Sequence, residues 1–306
     1  MVRRGTAVAL VVTSAACFGT LAVLTSLAYE SGARPLPTLT WRFGVAAVAM
    51  AAYLLVRRPS SLRVGPTELA RFGVLSLTGY GAASLCFFFA LRHISPSVAT
   101  VLLYTYPALI ALFEAASGRT PLRRATLAAI ALTFVGCVLV VGMLEQDVEV
   151  SLPGVALALG AGLAYGIFTI LSDRLVPGRS RLVVMTYMFG ISAVLMAAIS
   201  VATGETLSVA RWSARQWSLV LAIVAVPTIA AVVLYMGGIR MLGPARAALA
   251  STTEPVFTIG LSWMLLGERL SPLQLLGTML VVAGIVLAER AEQAVPPGVA
   301  VDAPAI

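Results

Sequence analysis

The chain contains no lysine, so all 21 of its basic residues are arginines. A Walker-type phosphate loop needs a lysine that reaches the nucleotide phosphates. A Schiff base to retinal or to pyridoxal phosphate also needs a lysine amine. The chain therefore cannot itself be a Walker-type ATPase, and it cannot hold either cofactor through such a bond.

Histidine and cysteine are nearly as scarce. His93 is the single histidine, and Cys17, Cys86 and Cys137 are scattered through apolar runs. No CxxC or Cys/His spacing typical of a metal site occurs, so the sequence predicts no metal and no cofactor. An aspartate-rich phosphate-binding pair and a nucleophile–base pair are also missing from the sequence, which disfavours a membrane enzyme.

Charge is sparse as well: 11% of the 306 residues are charged and 59% are hydrophobic, with a mean hydropathy of +0.97. A soluble domain has about 25% charged residues. The net charge of +8 does not indicate nucleic-acid binding, because no basic cluster is interleaved with exposed aromatic residues. Apolar runs of about 20 residues recur along the chain, so the sequence predicts an all-α polytopic membrane protein.

These runs predict ten membrane helices, of which the first is interpreted as an uncleaved helix because its apolar region is too long for a signal peptide. The ten helices are placed at about residues 6–28, 36–56, 69–91, 96–117, 124–143, 153–173, 182–203, 216–238, 245–266 and 272–289. Residues 291–306, which contain three prolines, are predicted to be a disordered cytoplasmic tail.

The arginines predict the orientation through the positive-inside rule. With a cytoplasmic N-terminus, about 15 arginines fall in inside segments and about 5 in outside segments. Glu145, Asp147 and Glu149 lie between the fifth and sixth helices, which suits the outside. Abundant arginine and alanine without lysine indicate a GC-rich bacterial gene. We therefore expect a multi-pass protein of the bacterial inner membrane with both termini in the cytoplasm.

The two halves of the chain repeat each other. Residues 43–52 and 189–198 are identical at seven of ten positions, and at a spacing of 148 residues Pro107 corresponds to Pro255. Five helices per repeat is an odd number, so the second repeat is predicted to lie inverted in the bilayer. The fifth and tenth helices are uniformly apolar and serve either as scaffold or as a dimer surface, which allows a monomer or a homodimer. The two predicted repeats cover residues 1–144 and 145–290.

Three segments carry a resemblance to a known family. Glu-Pro-Val at residues 254–256 and Gly-Glu-Arg-Leu-Ser-Pro at residues 267–272 resemble the second EamA domain of the drug/metabolite transporter superfamily. Trp-Arg-Phe at residues 41–43 resembles the matching part of the first domain. The first half departs from the pattern, because Gly-Arg-Thr-Pro at residues 118–121 contains no glutamate.

This resemblance implies a secondary transporter that works by alternating access without ATP. Members of the family mostly export amino acids, other small metabolites or drugs, and helices 1, 3, 4, 6, 8 and 9 enclose their cavity. The alternatives from the sequence are a facilitative uniporter or channel-like pathway and, less favoured, a membrane enzyme. The implied partners are a small-molecule substrate, the lipid bilayer and, with coupling, protons.

Glu254 stands out because a charge at the centre of a membrane helix costs about 2.5–3.5 kcal/mol. It shares one helical face with Ser251 and Thr258, and Pro255 frees the carbonyl of Ser251. These three polar residues are predicted to bind substrate. Glu254 either accepts a proton or the amino group of a substrate, or serves as a neutral or arginine-paired structural residue. Pro107 and Pro255 are either hinges or simple packing kinks.

Aromatic residues on the cavity helices are predicted to form a wall for an amphipathic substrate, each with a hydroxyl group that needs a partner when buried. Arg42 in the second helix either binds a substrate carboxylate, pairs with Glu30, or extends outward to the interface. The tyrosine-rich, weakly charged interior favours aromatic or hydrophobic amino acids as substrates. The candidate tyrosines are Tyr80, Tyr104, Tyr106, Tyr165 and Tyr235.

Overall fold

The protein is described from a computed structural model, which covers residues 2–116, 124–142, 151–176, 178–207, 212–242 and 244–293. The predicted acidic loop, residues 118–121 and the predicted tail beyond residue 293 lie outside these ranges. The described residues form fourteen α-helical segments joined by short turns. They are α1 (Val2–Glu30), α2 (Pro35–Arg57), α3 (Pro66–Leu75), α4 (Gly81–Ala90), α5 (Pro96–Leu103), α6 (Tyr106–Ala116), α7 (Arg124–Val141), α8 (Leu152–Leu175), α9 (Arg181–Ala202), α10 (Ala214–Ile223), α11 (Ala231–Leu242), α12 (Pro244–Ser251), α13 (Glu254–Leu266) and α14 (Pro272–Gln293).

In two places, consecutive α-helical segments are joined by a π-helical segment, which has a wider turn than an α-helix. A π-helical segment, Ser76–Tyr80, joins α3 to α4, and a second one, Val224–Ala230, joins α10 to α11. The second contains Pro227, which cannot donate a backbone hydrogen bond. The two π-helical segments begin 148 residues apart, which is the spacing of the repeat, so the same distortion occurs once in each half.

Local sequence explains where most of the helices begin. Helices α2, α3, α5, α8 and α13 each have a proline in the first turn, where the missing N–H would be unpaired anyway. The hydroxyl oxygens of Ser95, Ser151 and Ser213 accept hydrogen bonds from the first-turn N–H groups of α5, α8 and α10. Between these starts the apolar runs continue as helices.

Length and hydropathy identify the membrane-crossing helices among the described residues. Six are long and apolar enough to cross a membrane: Gly5–Glu30, Pro35–Arg57, Pro66–Ala90, Leu152–Ser172, Arg181–Ala202 and Ala214–Leu242. Four apolar helices are shorter: Pro96–Ile110, Leu127–Val141, Glu254–Leu266 and Pro272–Leu287. The predicted ninth helix is among the shorter ones because it is interrupted just before Glu254. The protein is therefore an all-helical polytopic membrane protein, with helix at each of the ten predicted positions.

The two halves of the chain use the same packing scheme. Helix α1 contacts α11, α12 and α13 of the second half, and α8 contacts their counterparts α4, α5 and α6 of the first half. Helix α2 packs against its counterpart α9, with the repeat-matched rings of Phe43 and Phe189 stacked 5.5 Å apart. Each half therefore supplies the neighbours of the other, and the centre of the molecule is built from both.

The predicted fifth and tenth helices, α7 and α14, pack directly on each other. A Cβ atom added at Gly136 would lie 2.6 Å from the Gly277 carbonyl oxygen, and one added at Gly277 would lie 2.7 Å from the Gly136 carbonyl oxygen. Only glycine permits this close backbone approach. Large apolar side chains, including Phe134 and Met279, are exposed on the outer faces of the pair.

Candidate functional site

Two interrupted helices meet at the centre of the molecule. Helix α5 ends at Leu103 and α6 begins at Tyr106, whereas α12 ends at Ser251 and α13 begins at Glu254. The prolines Pro107 and Pro255 follow these breaks. Because a proline lacks an N–H and its ring crowds the carbonyl group four residues earlier, each preceding helix ends at that residue. At each predicted kink the α-helix is therefore interrupted by a two-residue turn, which keeps backbone hydrogen bonds such as that from the Thr105 N–H to the Leu102 carbonyl.

A hydrogen bond joins the two breaks. The Tyr104 hydroxyl donates to Oε2 of Glu254 at 2.7 Å, and it also lies 3.4 Å from the carbonyl oxygen of Ser251. The repeat pairs Glu254 with Tyr106, but the phenol that contacts the carboxylate is that of Tyr104, two residues earlier. Tyr104 is 7% exposed, so this contact is shielded from the surroundings.

No arginine neutralises Glu254 within the described part of the chain. The ion pair found there joins Arg179 to Glu68 on the surface. The interpretation of Glu254 as an arginine-paired structural residue is therefore wrong within the described part of the chain. Its described polar partner is the neutral Tyr104 hydroxyl, and a hydroxyl donor can be exchanged for a substrate amine or a proton without breaking an ion pair.

Tyr104 is the first of five aromatic residues whose rings form one connected surface, here called the aromatic wall. The ring centroids of Tyr104 and Tyr106 lie 6.0 Å apart, those of Tyr106 and Tyr165 4.9 Å, those of Tyr165 and Phe168 5.7 Å, and those of Phe168 and Tyr80 5.6 Å. Tyr80, Tyr106 and Tyr165 are only half-buried. The aromatic wall consists of Tyr80, Tyr104, Tyr106, Tyr165 and Phe168.

Four of the five predicted tyrosines thus lie in one continuous surface. The fifth, Tyr235 on α11, is close enough to Tyr165 for an electrostatic interaction. Sequence reasoning missed Phe168, although it lies one helical turn after Tyr165 and therefore shares its face of α8. That spacing was the available signal.

Glycines bring α1 and α8 close to the two breaks. A Cβ atom added at Gly19 would lie 3.2 Å from the Glu254 carbonyl oxygen, and one added at Gly162 would lie 2.9 Å from the Leu103 carbonyl oxygen. The Thr258 hydroxyl donates to the Gly19 carbonyl at 3.2 Å and is fully buried. In this conformation, Thr258 joins two helices, whereas the substrate role predicted for it would require exposure to the cavity.

Arg42 lies deep in the protein, with 1% of its surface exposed. Its Nε donates to Oγ1 of Thr228 at 2.9 Å and its Nη2 to the Tyr80 hydroxyl at 3.4 Å. The expected pairing with Glu30 and the expected outward extension are both wrong, because Arg42 faces neighbouring helices and Glu30 is exposed at the end of α1. Tyr80 and Thr228 are the repeat-matched residues of the two π-helical segments, so both distortions aim a hydroxyl at one guanidinium group.

A surface pocket of about 480 Å³ opens where α1 ends and α2 begins. The pocket is polar, and its lining includes two arginines and one glutamate. It is lined by Tyr29, Gly32, Ala33, Arg34, Pro35, Arg92 and Glu205.

Within the described residues, no group of three histidine, cysteine, aspartate or glutamate side chains lies close enough to hold a metal ion.

Comparisons with known proteins point to one family. The model of the EamA-like transporter family matches residues 5–142 and again residues 152–289. The uncharacterized transporter YcbK of Bacillus subtilis (strain 168) is 27% identical over 272 residues, which cover 85% of each chain. The uncharacterized transporter YwfM of the same organism is 26% identical over 292 residues, covering 94% of this chain and 95% of the relative.

The fold also has a counterpart among solved structures. A protein of known crystal structure superposes with a TM-score of 0.66 at 22% sequence identity. The match covers 94% of this chain and 98% of that protein. At this level of identity the comparison concerns the fold and not the substrate.

Proposed function

Because the chain belongs to the EamA-like transporter family, we propose that it is a secondary transporter that exports a small amphipathic metabolite by alternating access. The observation that carries this proposal is the contact between Tyr104 and Glu254, where two interrupted helices from the two halves meet. Interrupted helices at the interface of two repeats are a common way to build a transport site near the middle of the bilayer.

The proposed topology has ten membrane crossings in two inverted repeats, over residues 1–144 and 145–290. The exchange of packing partners between the halves and the matched breaks at Pro107 and Pro255 support it. The positive-inside bias of the arginines supports cytoplasmic termini, and the arginine-rich, lysine-free composition supports a bacterial inner membrane.

In the proposed cycle, the aromatic wall receives the apolar body of the substrate while a proton or the substrate amino group replaces the Tyr104 hydroxyl at Glu254. Breaking that hydrogen bond removes one polar link between the two halves. Helix segments on either side of Pro107 and Pro255 then tilt relative to each other, because proline removes a backbone donor there and the turns Tyr104–Thr105 and Thr252–Thr253 have fewer backbone hydrogen bonds than a continuous helix. Amino acids with aromatic or other apolar side chains fit this combination of a carboxylate and an apolar surface, as do cationic amphipathic drugs.

The test begins with a strain that overproduces the protein, screened for resistance to toxic amino-acid analogues and cationic dyes. Compounds to which it confers resistance are then followed as labelled solutes in proteoliposomes. Saturable flux with trans-stimulation is the expected result. Conductance that rises linearly with concentration would instead point to a channel and would contradict alternating access.

Glu254→Gln tests the coupling step in the same vesicles. Glutamine keeps the size and an oxygen acceptor for Tyr104 but cannot take up a proton, so flux driven by a pH gradient should fall about tenfold or more while downhill exchange persists. Glu68→Gln is the matched control, because Glu68 lies in a surface ion pair remote from the helix breaks. Unchanged pH-driven flux in Glu254→Gln would contradict this role.

A further inference from the structure

Arg42 is a buried cation without a counter-ion among the described residues. Arginine keeps its charge under all ordinary conditions, so burial cannot be relieved by loss of a proton. The described residues offer it two hydroxyl groups and two phenyl rings, and they place no carboxylate within ion-pairing distance of it. A buried charge normally has an ionic partner, so we expect an anion to bind beside Arg42.

The geometry of the guanidinium group shows where that anion would bind. Its centre lies 5.0 Å from the ring centroid of Phe43 and 5.3 Å from that of Phe88, and these rings limit two sides of the group. Thr228 occupies Nε, and Tyr80 lies at a long 3.4 Å from Nη2. The remaining nitrogen, Nη1, is buried and has no hydrogen-bond partner in the described part of the chain. Nη1 and the weakly bonded Nη2 form a fork that matches the two oxygens of a carboxylate.

The surface pocket and the surroundings of Arg42 are linked through Tyr29. Tyr29 lines the pocket, and its hydroxyl donates at 3.0 Å to the carbonyl oxygen of Phe88, the residue whose ring lies on Arg42. The Tyr29 hydroxyl also lies within electrostatic range of both Arg42 and Arg92. Arg34 and Arg92 outnumber Glu205 in the pocket lining, so the pocket would attract an anion.

We infer that Arg42 binds the carboxylate group of the transported solute, so that the substrates of this protein are carboxylates with an apolar body. The inference rests on the proposed transport function and narrows its substrate class. Arg42 is hydrogen-bonded to Tyr80 at one end of the aromatic wall, and Glu254 is hydrogen-bonded to Tyr104 at the other end.

Direct binding to the purified full-length protein in detergent tests this inference without requiring transport. The probes are 3-phenylpropionate and butyrate, each paired with its carboxamide, and sodium chloride as a simple anion. None of these probes carries an amino group, so Glu254 does not recognise them as an ammonium ligand. Titration calorimetry should show the carboxylate binding about tenfold or more tightly than the amide, because charge-assisted pairs are much stronger than neutral ones.

Substitutions then assign the preference to this residue. Arg42→Gln should abolish the difference between carboxylate and amide, and Arg42→Lys should retain only part of it, because an ammonium group cannot form the bidentate pair. Arg71→Gln, at an exposed position, is the matched control and should keep the preference. Thr228→Val serves if Arg42→Gln does not fold, since it keeps the charge but removes the hydroxyl that holds Nε and so fixes the orientation of the fork, and it should weaken carboxylate binding while leaving amide binding unchanged.

The inference is overturned if the wild-type protein binds amides as well as carboxylates, binds neither, or binds chloride with the same affinity as the carboxylates. A carboxylate preference that survives in Arg42→Gln also overturns it. The proposed transport function fails separately: a protein that passes the binding test but moves no solute in vesicles would be a carboxylate-binding membrane protein and not a carrier.

Discussion

Tyr104 and Glu254 share one hydrogen bond, yet the two residues should make separable contributions. The phenol is the donor at 2.7 Å, so Tyr104→Phe leaves the carboxylate without its described donor, whereas the proton-accepting group itself stays in place. Loss of one buried partner costs about 1–3 kcal/mol. We therefore expect Tyr104→Phe to unfold at a lower temperature in detergent and still to couple flux to a pH gradient.

Tyr53→Phe is the matched control for that measurement, because Tyr53 is 56% exposed on α2 and away from the breaks. It should leave the unfolding temperature within about 1 °C of wild type, as surface substitutions commonly do. If Tyr104→Phe lost coupling as completely as Glu254→Gln, the phenol would be part of the proton path, and the division of roles argued above would be wrong.

What the sequence reveals about single residues depends on whether the signal is local. A glutamate and a proline inside an apolar run are anomalies on their own, and Glu254 and Pro255 could be selected without any knowledge of their neighbours. The partner of Glu254 could not be selected from the sequence, because the choice between Tyr104 and Tyr106 depends on how two interrupted helices are rotated relative to each other. Arg42 was ambiguous for the same reason: its burial is a property of the surrounding helices.

At the scale of helices, contacts between backbones depend on glycines at a few crossings. A Cβ atom added at Gly162 would lie 2.9 Å from the backbone carbonyl of Leu103, and a backbone atom cannot rotate out of the way as a side chain can. Gly162→Ala should therefore push α8 away from the first break. Overpacking of this kind typically costs about 1–3 kcal/mol, and we expect a lower unfolding temperature together with slower flux.

Gly260 provides the comparison, since it lies in α13 and a Cβ atom added there would meet nothing within 4 Å. Gly260→Ala should be neutral or slightly stabilising, because alanine is the better helix former. Equal losses of stability in Gly162→Ala and Gly260→Ala would mean that helix propensity and not the close crossing determines the effect.

Helix positions follow from apolar runs, so each of the ten predicted segments coincides with helix, and prolines or capping serines explain most of the starts. The π-helical segments Ser76–Tyr80 and Val224–Ala230 were not predicted. A single extra residue per turn leaves almost no trace in hydrophobic periodicity, and only Pro227 and the glycines around Tyr80 hinted at it. These distortions are what direct Tyr80 and Thr228 toward Arg42.

At the scale of the whole molecule, alternating access requires the two halves to separate at one end while they close at the other. One contact between the halves, which in the proposed cycle would hold one end closed, joins the Ser97 hydroxyl, at the start of α5, to Oε2 of Glu268, in the turn before α14, at 2.8 Å. The two residues come from different halves of the chain, and both lie at the end of the molecule opposite the start of α1.

A short reversible cross-link at this contact should therefore stop transport. In a background with Cys17, Cys86 and Cys137 replaced by alanine, Ser97→Cys and Glu268→Cys are joined by a bifunctional methanethiosulfonate reagent. Flux in proteoliposomes should fall about tenfold or more, because the closed end can no longer open, and should return when a reductant cleaves the link. Each single cysteine variant treated in the same way should keep its flux. Full flux in a quantitatively cross-linked protein would mean that solute passes without separation of the halves at this end, which is the behaviour of a fixed pore and not of a carrier.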